Sequence, residues 1–219
     1  MLTHASADWL HAALALIVMT NFALLGAERH RLCIRLIAVQ GVIMGVMPLL
    51  AYEGGIDLYL ACMAGLFLLI KGILLPLLLR RTYLQLPVQQ TPEPYVGYSA
   101  CVLLGAVGLG LSLWLGEQLE LAANPLLSLV FPIGMTTILA GLLMIVTRRE
   151  VLSQLFGYLV MENGIYLLGT PMAEHDSLWL ELSILLDILV AVFVMGIAIH
   201  HINRAFQSTD VERIAALRD

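Results

Sequence analysis

Runs of about 18 to 25 mostly apolar residues alternate along the chain with short charged clusters, and each run is long enough to cross a bilayer as an α-helix. The pattern predicts seven spans, near residues 9–27, 32–52, 57–79, 98–115, 125–146, 150–169 and 178–202. The clusters between them alternate in sign. Glu28-Arg29-His30-Arg31 with Arg35, then Arg80-Arg81, Arg148-Arg149, and finally Arg204, Arg213 and Arg218 fall on one side. Asp8, Glu53 with Asp57, Glu117 with Glu120, and Glu174 with Asp176 fall on the other, without a lysine or arginine among them. Arginine-rich loops stay cytoplasmic, so an odd number of spans puts the N-terminus outside and the C-terminus inside. The expected fold class is therefore all-α, an integral membrane bundle of seven transmembrane helices.

Smaller features fit this scheme. Trp9, Trp114 and Trp179 fall at outer ends of spans, where amphipathic rings settle at headgroup depth. The polar connector "RRTYLQLPVQQTPEPY" separates three spans from four. The expected division is an N-terminal three-helix segment (1–82), a proline-containing cytoplasmic linker (83–97), a fourth helix with its outer loop (98–123), and a three-helix unit with a cytoplasmic tail (124–219). Pro48, Pro76, Pro132 and the pair Gly105 and Gly108 are tolerated inside spans and read as packing features or mild kinks.

Composition agrees and removes several function classes. The chain is 60% hydrophobic and 12% charged, against roughly 25% charged residues in soluble domains. Its net charge of −5 offers no polybasic patch for nucleic acid. Cys33, Cys62 and Cys101 are far apart, without CxxC or metal-ligand spacing, so no metal, cluster or disulfide framework is expected within the chain. The first residues lack a basic region and a cleavage site, and no removable signal peptide is expected.

Three ionisable residues stand deep inside spans: Lys71, the sole lysine, with Glu162 and Asp187. A central charge costs about 2.5–3.5 kcal/mol to insert, so such residues face protein or water and are functional by default. At 1.5 Å per residue, Glu162 lies roughly 10 Å and Asp187 roughly 13 Å below the outer ends of their helices. The two acids can therefore stand at similar heights on adjacent antiparallel helices. Lys71 lies roughly 12 Å above Arg80, and its neighbour by depth is Gln40, with water or a partner subunit's acid as alternatives. Tyr158 and Tyr166, four residues either side of Glu162, share its helix face. Ser183 stands one turn from Asp187. A proton relay needs groups that change charge at little cost, with hydroxyls beside them. Glu181 reads as an access-path or interfacial group. His200 and His201 can pass protons, or can simply complement a helix C-terminus. Against the relay stands a plain alternative, in which buried acids only hydrogen-bond neighbouring helices and fix the packing. A retinal protein also combines seven spans with one membrane lysine. Its lysine, however, lies on the last helix in an aromatic cage, whereas Lys71 lies in the third span with only Phe67 a turn away.

The last hundred residues carry a family pattern. "VTRREVLSQLFGYLVMENGIYLL", then "LELSILLDILVAVFVMGIAIHHINR" and the tail "DVERIAALRD", resemble the K subunit of respiratory complex I. The whole chain, with "LIKGILLPLLLRR" and above all "GYLVMENG", resembles the E component of hydrogenase-4-type complexes, the membrane-bound [NiFe] hydrogenases that include formate hydrogenlyases. Asp187 departs from the glutamate usual in the K subunit but fits the hydrogenase branch. The resemblance implies a multi-pass subunit of the inner membrane, without catalytic activity alone. Its partners would be antiporter-like subunits, a quinone-chamber-like subunit and a hydrophilic hydrogenase arm that holds the [NiFe] centre and iron–sulfur clusters. Glu162 and Asp187 would join the axis that couples redox chemistry to H⁺ or Na⁺ movement, with Lys71 extending or gating it. A purely structural bridging subunit and a component of a cation/proton antiporter remain the alternatives.

Overall fold

In the computed structural model, residues 4–51, 58–85, 94–119, 125–169, 185–192, 194 and 196 are described. They are helical apart from short turns and contain no strand. The helices are α1 (His4–Leu25), α2 (His30–Ala51), α3 (Leu58–Leu68), a π-helical segment (Leu69–Leu74), α4 (Leu75–Gln85), α5 (Tyr98–Gln118), α6 (Pro125–Thr147) and α7 (Val151–Gly169). Residues 185–192 form a further helical stretch. The predicted spans coincide with these helices to within a few residues, except that α3, the π segment and α4 make one rod extending past the predicted end at 79. The connector from 86 to 93, and most of the seventh span, lie outside the described residues.

Among the described residues, four helical windows are long and apolar enough to cross a membrane: His30–Met47, Tyr98–Gln118, Leu127–Thr147 and Val151–Gly169, with a shorter apolar helix at Trp9–Leu25. Trp9 and Trp114 are both exposed. Burial differs sharply between these windows: 61% of α7 is enclosed but only 17% of α5. So α7 is the central helix, and α5 lies on the periphery.

The tightest seam, between α6 and α7, is built on glycine. A Cβ on Gly141 would stand 2.4 Å from the Met161 amide nitrogen, and one on Gly164 would stand 2.6 Å from that of Ile138. Gly134 and Gly141 on α6 thus face Gly164 and Gly157 on α7, each pair one heptad apart. Without a hydrophobic drive between helices in lipid, small residues that let backbones approach supply the association. Gly105 and Gly108 also pack closely, against Leu25 and Leu139, but the tightest backbone approach follows the spacing of seven.

The π segment has an equally local cause. Pro76 lacks an N–H and its ring crowds the carbonyl four residues back, so the regular ladder fails there. The chain widens by taking i→i+5 bonds, of which Leu75 N–H to Ile70 O is one. Wide turns of this kind recur where function needs a side chain re-aimed, and the segment contains Lys71. Opposite it, Gly41 on α2 lets the Lys71 carbonyl approach to 2.6 Å from where a Cβ would stand. Pro76 therefore does more than kink a helix.

Candidate functional site

Lys71 is held in the middle of the bundle by the π segment, α2 and α7. Its Nζ donates to Asn163 Oδ1 at 3.0 Å. It also lies 3.2 Å from Glu162 Oε1 and 3.5 Å from Asp187 Oδ1. All three charged side chains are sealed, at 4%, 2% and 0% exposure respectively. Both carboxylates meet the ammonium as buried ion pairs. On the aromatic side, the ammonium sits 5.1 Å from the Phe67 ring centroid and 5.9 Å from that of Tyr166. Those rings stack on each other at 4.6 Å. Ring faces carry partial negative charge and attract a desolvated cation.

Asn163 connects this cluster to a second set of polar groups. Its Nδ2 donates to Gln40 Oε1 at 3.2 Å. Gln40 Nε2 donates to Thr20 Oγ1 at 2.9 Å and to Asn21 Oδ1 at 2.8 Å. Asn21 Nδ2 donates to Thr137 Oγ1 at 2.8 Å. Gln40 and Thr137 are fully enclosed. Five helical segments, those of α1, α2, the π segment, α6 and α7, thus share one hydrogen-bonded interior, and Asp187 adds the final helical stretch. A narrow crevice lined by Ile37, Gly41, Lys71, Leu75, Leu159 and Asn163 reaches the lysine between α2, α4 and α7.

A separate polar group gathers the arginine-rich helix ends. His30 Nε2 pairs with Glu150 Oε2 at 2.5 Å, and Ser153 Oγ lies 3.2 Å from both. The His30 ring stacks on Tyr83 at 5.6 Å and tilts against Phe156. Arg148 donates to the Leu25 carbonyl at 3.0 Å and lies over the Tyr98 ring, while Arg149 lies over Tyr95. Glu150 immediately precedes α7, and its carbonyl accepts the Gln154 N–H. There a carboxylate complements the helix dipole. The hydrogen bond to His30, ahead of partial desolvation, holds the Glu150 carboxyl below its ordinary value.

The sequence-derived residues fare unevenly. Lys71, Glu162 and Asp187 are brought together, and Tyr166 joins them. Gln40 is close, but not as the lysine's partner: it is one step removed, behind Asn163. Depth along a span is readable from residue counts, but rotation about the helix axis is not, and rotation decided the pairing. Tyr158 is half-buried at the edge of the core. Ser183, Glu181, His200 and His201 lie outside the described residues. Asn163, Thr20, Asn21 and Thr137 carry one weak sequence signal, that each is a polar side chain within an apolar span. His30 and Glu150 belong to two separate basic clusters and Ser153 to the first turn of α7, and only the fold joins them. Among the described residues, no group of three or more His, Cys, Asp or Glu could hold a metal ion.

Comparison with known proteins agrees with the resemblance carried by "GYLVMENG". Residues 129–219 match the family of NADH-ubiquinone/plastoquinone oxidoreductase chain 4L. Hydrogenase-4 component E of Escherichia coli K12 is 26% identical over 204 residues, covering 93% of this chain and 94% of that protein. Its counterpart in Shigella flexneri is 26% identical over the same length. An uncharacterised protein of Mycobacterium tuberculosis is 27% identical over 205 residues, covering 93% of each chain. No solved structure matches the chain.

Proposed function

We propose that the chain is a seven-span membrane-arm subunit of an energy-converting redox complex of the hydrogenase type, and that Glu162, Asp187 and Lys71 form a relay for its coupled ion. One observation carries the reading: a single lysine lies within ion-pair reach of two carboxylates from different helices, all three sealed inside the bundle. Two carboxylates and one ammonium sum to one excess negative charge. Uncompensated charge is costly in a low-dielectric interior, so the neutral composition holds one proton on the acid pair. Both acids contact the same Nζ, so the proton can exchange between α7 and the final helix while the cation stays at its centre. Sodium is the alternative occupant of the same charge vacancy.

The similarity to hydrogenase-4 component E and to chain 4L supports a place in the inner membrane with the arginine side cytoplasmic. It also supports antiporter-like and quinone-chamber-like neighbours, and a hydrophilic arm that carries the [NiFe] and iron–sulfur centres. In this reading the segment 1–82, the linker 83–97 and the helix 98–123 extend a chain-4L-like unit, 124–219, and Lys71 reaches from the first into the last. The test is Glu162→Gln in the assembled complex, with redox turnover and ion translocation measured together. Translocation per electron should fall at least about tenfold while assembly persists, because the variant cannot release or bind a proton. Unchanged translocation refutes the relay. The structural-bridge reading draws on the cross-linking of so many helices by this one cluster; failure of Glu162→Gln and Asp187→Asn complexes to assemble would favour it.

A further inference from the structure

We infer that Thr20, Asn21, Gln40 and Thr137 are positioning residues: they form a hydrogen-bond scaffold of fixed direction that aims an acceptor at Lys71 and itself carries no protons. The inference rests on the relay reading, which it deepens by closing one side of the cluster.

Direction follows from the two threonines. A hydroxyl has a single proton to donate. That of Thr137 goes to the Ile133 carbonyl at 2.7 Å, and that of Thr20 to the Ile17 carbonyl at 2.8 Å. Each is then able only to accept from its amide neighbour. Asn21 must turn its Nδ2 toward Thr137, which leaves Oδ1 facing Gln40. Gln40 must commit both Nε2 hydrogens, one to Thr20 and one to Asn21, so its Oε1 faces Asn163. Asn163 therefore donates to Gln40 and presents Oδ1 to Lys71. Flipping any amide sets oxygen against oxygen or leaves a donor idle, and buried groups without partners are costly. The backbone carbonyls of α1 and α6 thereby fix the side of Asn163 that the lysine meets, two or three side chains away.

The same commitments block conduction. To pass a proton, each hydroxyl would have to give up its carbonyl bond, and an amide NH₂ group donates but does not accept. A proton on the carboxyl pair thus has no way out toward α1 and α6. Exchange is left to the α7 side, the final helix and the crevice beside Gly41.

The experiment compares Thr137→Val with Thr137→Ser in the complete complex, with Glu162→Gln measured in parallel. Thr137→Val keeps the shape but removes the oxygen that accepts from Asn21. Translocation per electron should drop roughly fivefold with assembly retained, and Thr137→Ser should restore it to within about twofold. Gln40→Glu, of equal size, should produce the same loss, because a carboxyl cannot make both donations. Infrared difference spectra of the full chain in detergent provide a readout independent of assembly. The carboxyl band assigned through Glu162→Gln should shift in Thr137→Val, although Thr137 touches neither acid. Wild-type translocation in Thr137→Val and Gln40→Glu, or an unmoved band, overturns the inference. If Glu162→Gln still abolishes translocation in that case, the relay stands without the scaffold. If Glu162→Gln translocates normally, the relay itself has failed.

Discussion

Two acid–base groups in this molecule share similar ingredients and differ in depth. At the arginine-rich end, His30, Glu150 and Ser153 form a partly buried clasp between the starts of α2 and α7. In the bundle centre, Lys71 faces Glu162 and Asp187 with almost no exposure. The rim pair is one cation-capable ring against one carboxylate, placed where the dipole of α7 already favours an acid. Its carboxyl is held in the charged form by a hydrogen bond, and water can answer any change of charge. The central group has one cation for two acids, and an amide scaffold supplies the contact that water would make elsewhere. Depth separates an end clasp that stays partly exposed from a sealed group with one more acid than cation.

The largest effect expected to test this contrast is that of Lys71→Met. Removing one partner of a buried ion pair costs about 3–5 kcal/mol, since the remaining charges lose compensation. The variant complex should therefore melt or dissociate well below wild type in detergent. Lys71→Met combined with Glu162→Gln should recover part of that loss. A stable single variant would mean that the centre behaves like the rim.

Both regions hang on α7, which starts after Glu150 and carries Glu162 at mid-length. Gly141→Ala places a methyl 2.4 Å from the Met161 nitrogen, and backbone overpacking of this kind costs about 1–3 kcal/mol. The thermal midpoint should fall and coupled translocation with it, since both groups lose their frame. Gly65→Ala, which meets nothing within 4 Å, is the control and should behave as wild type.

Glu150→Gln should have the smallest effect, under about 1 kcal/mol at neutral pH, as partly exposed pairs generally do. Its pH dependence has a definite sign. The folded Glu150 carboxyl lies below the ordinary value of 4.5, so the unfolded chain binds the proton first. The pair's contribution is then fully present above that value and disappears as pH falls through the lower folded one. A melting series from pH 6 downward should show an acid limb in the wild type that is weaker in Glu150→Gln. A steeper limb in the variant would contradict the clasp.

How much of this was visible in the sequence varies with the kind of question. Helix placement along the described chain was legible, because apolar length and charged punctuation follow from the cost of exposing backbone and charge to lipid. The burial of the central residues was legible for the same reason: Lys71, Glu162 and Asp187 are too costly to leave facing lipid, and all three turn inward. The α6–α7 seam was written in the glycine spacing of seven, and the widened turn in the position of Pro76, but both signals are weak without a partner helix to read them against.

The sequence by itself therefore determined which groups fall within the apolar helices and how far along them, since one-dimensional spacing maps directly onto height in a helix. Only the tertiary structure decided which of them meet. Azimuth about each helix axis depends on packing against neighbours distant in the chain, such as Gly41 against the Lys71 backbone and Gly141 against Met161. That is why Asn163 rather than Gln40 stands against the lysine, and why Thr20 and Thr137, unremarkable in one dimension, fix an amide two helices away.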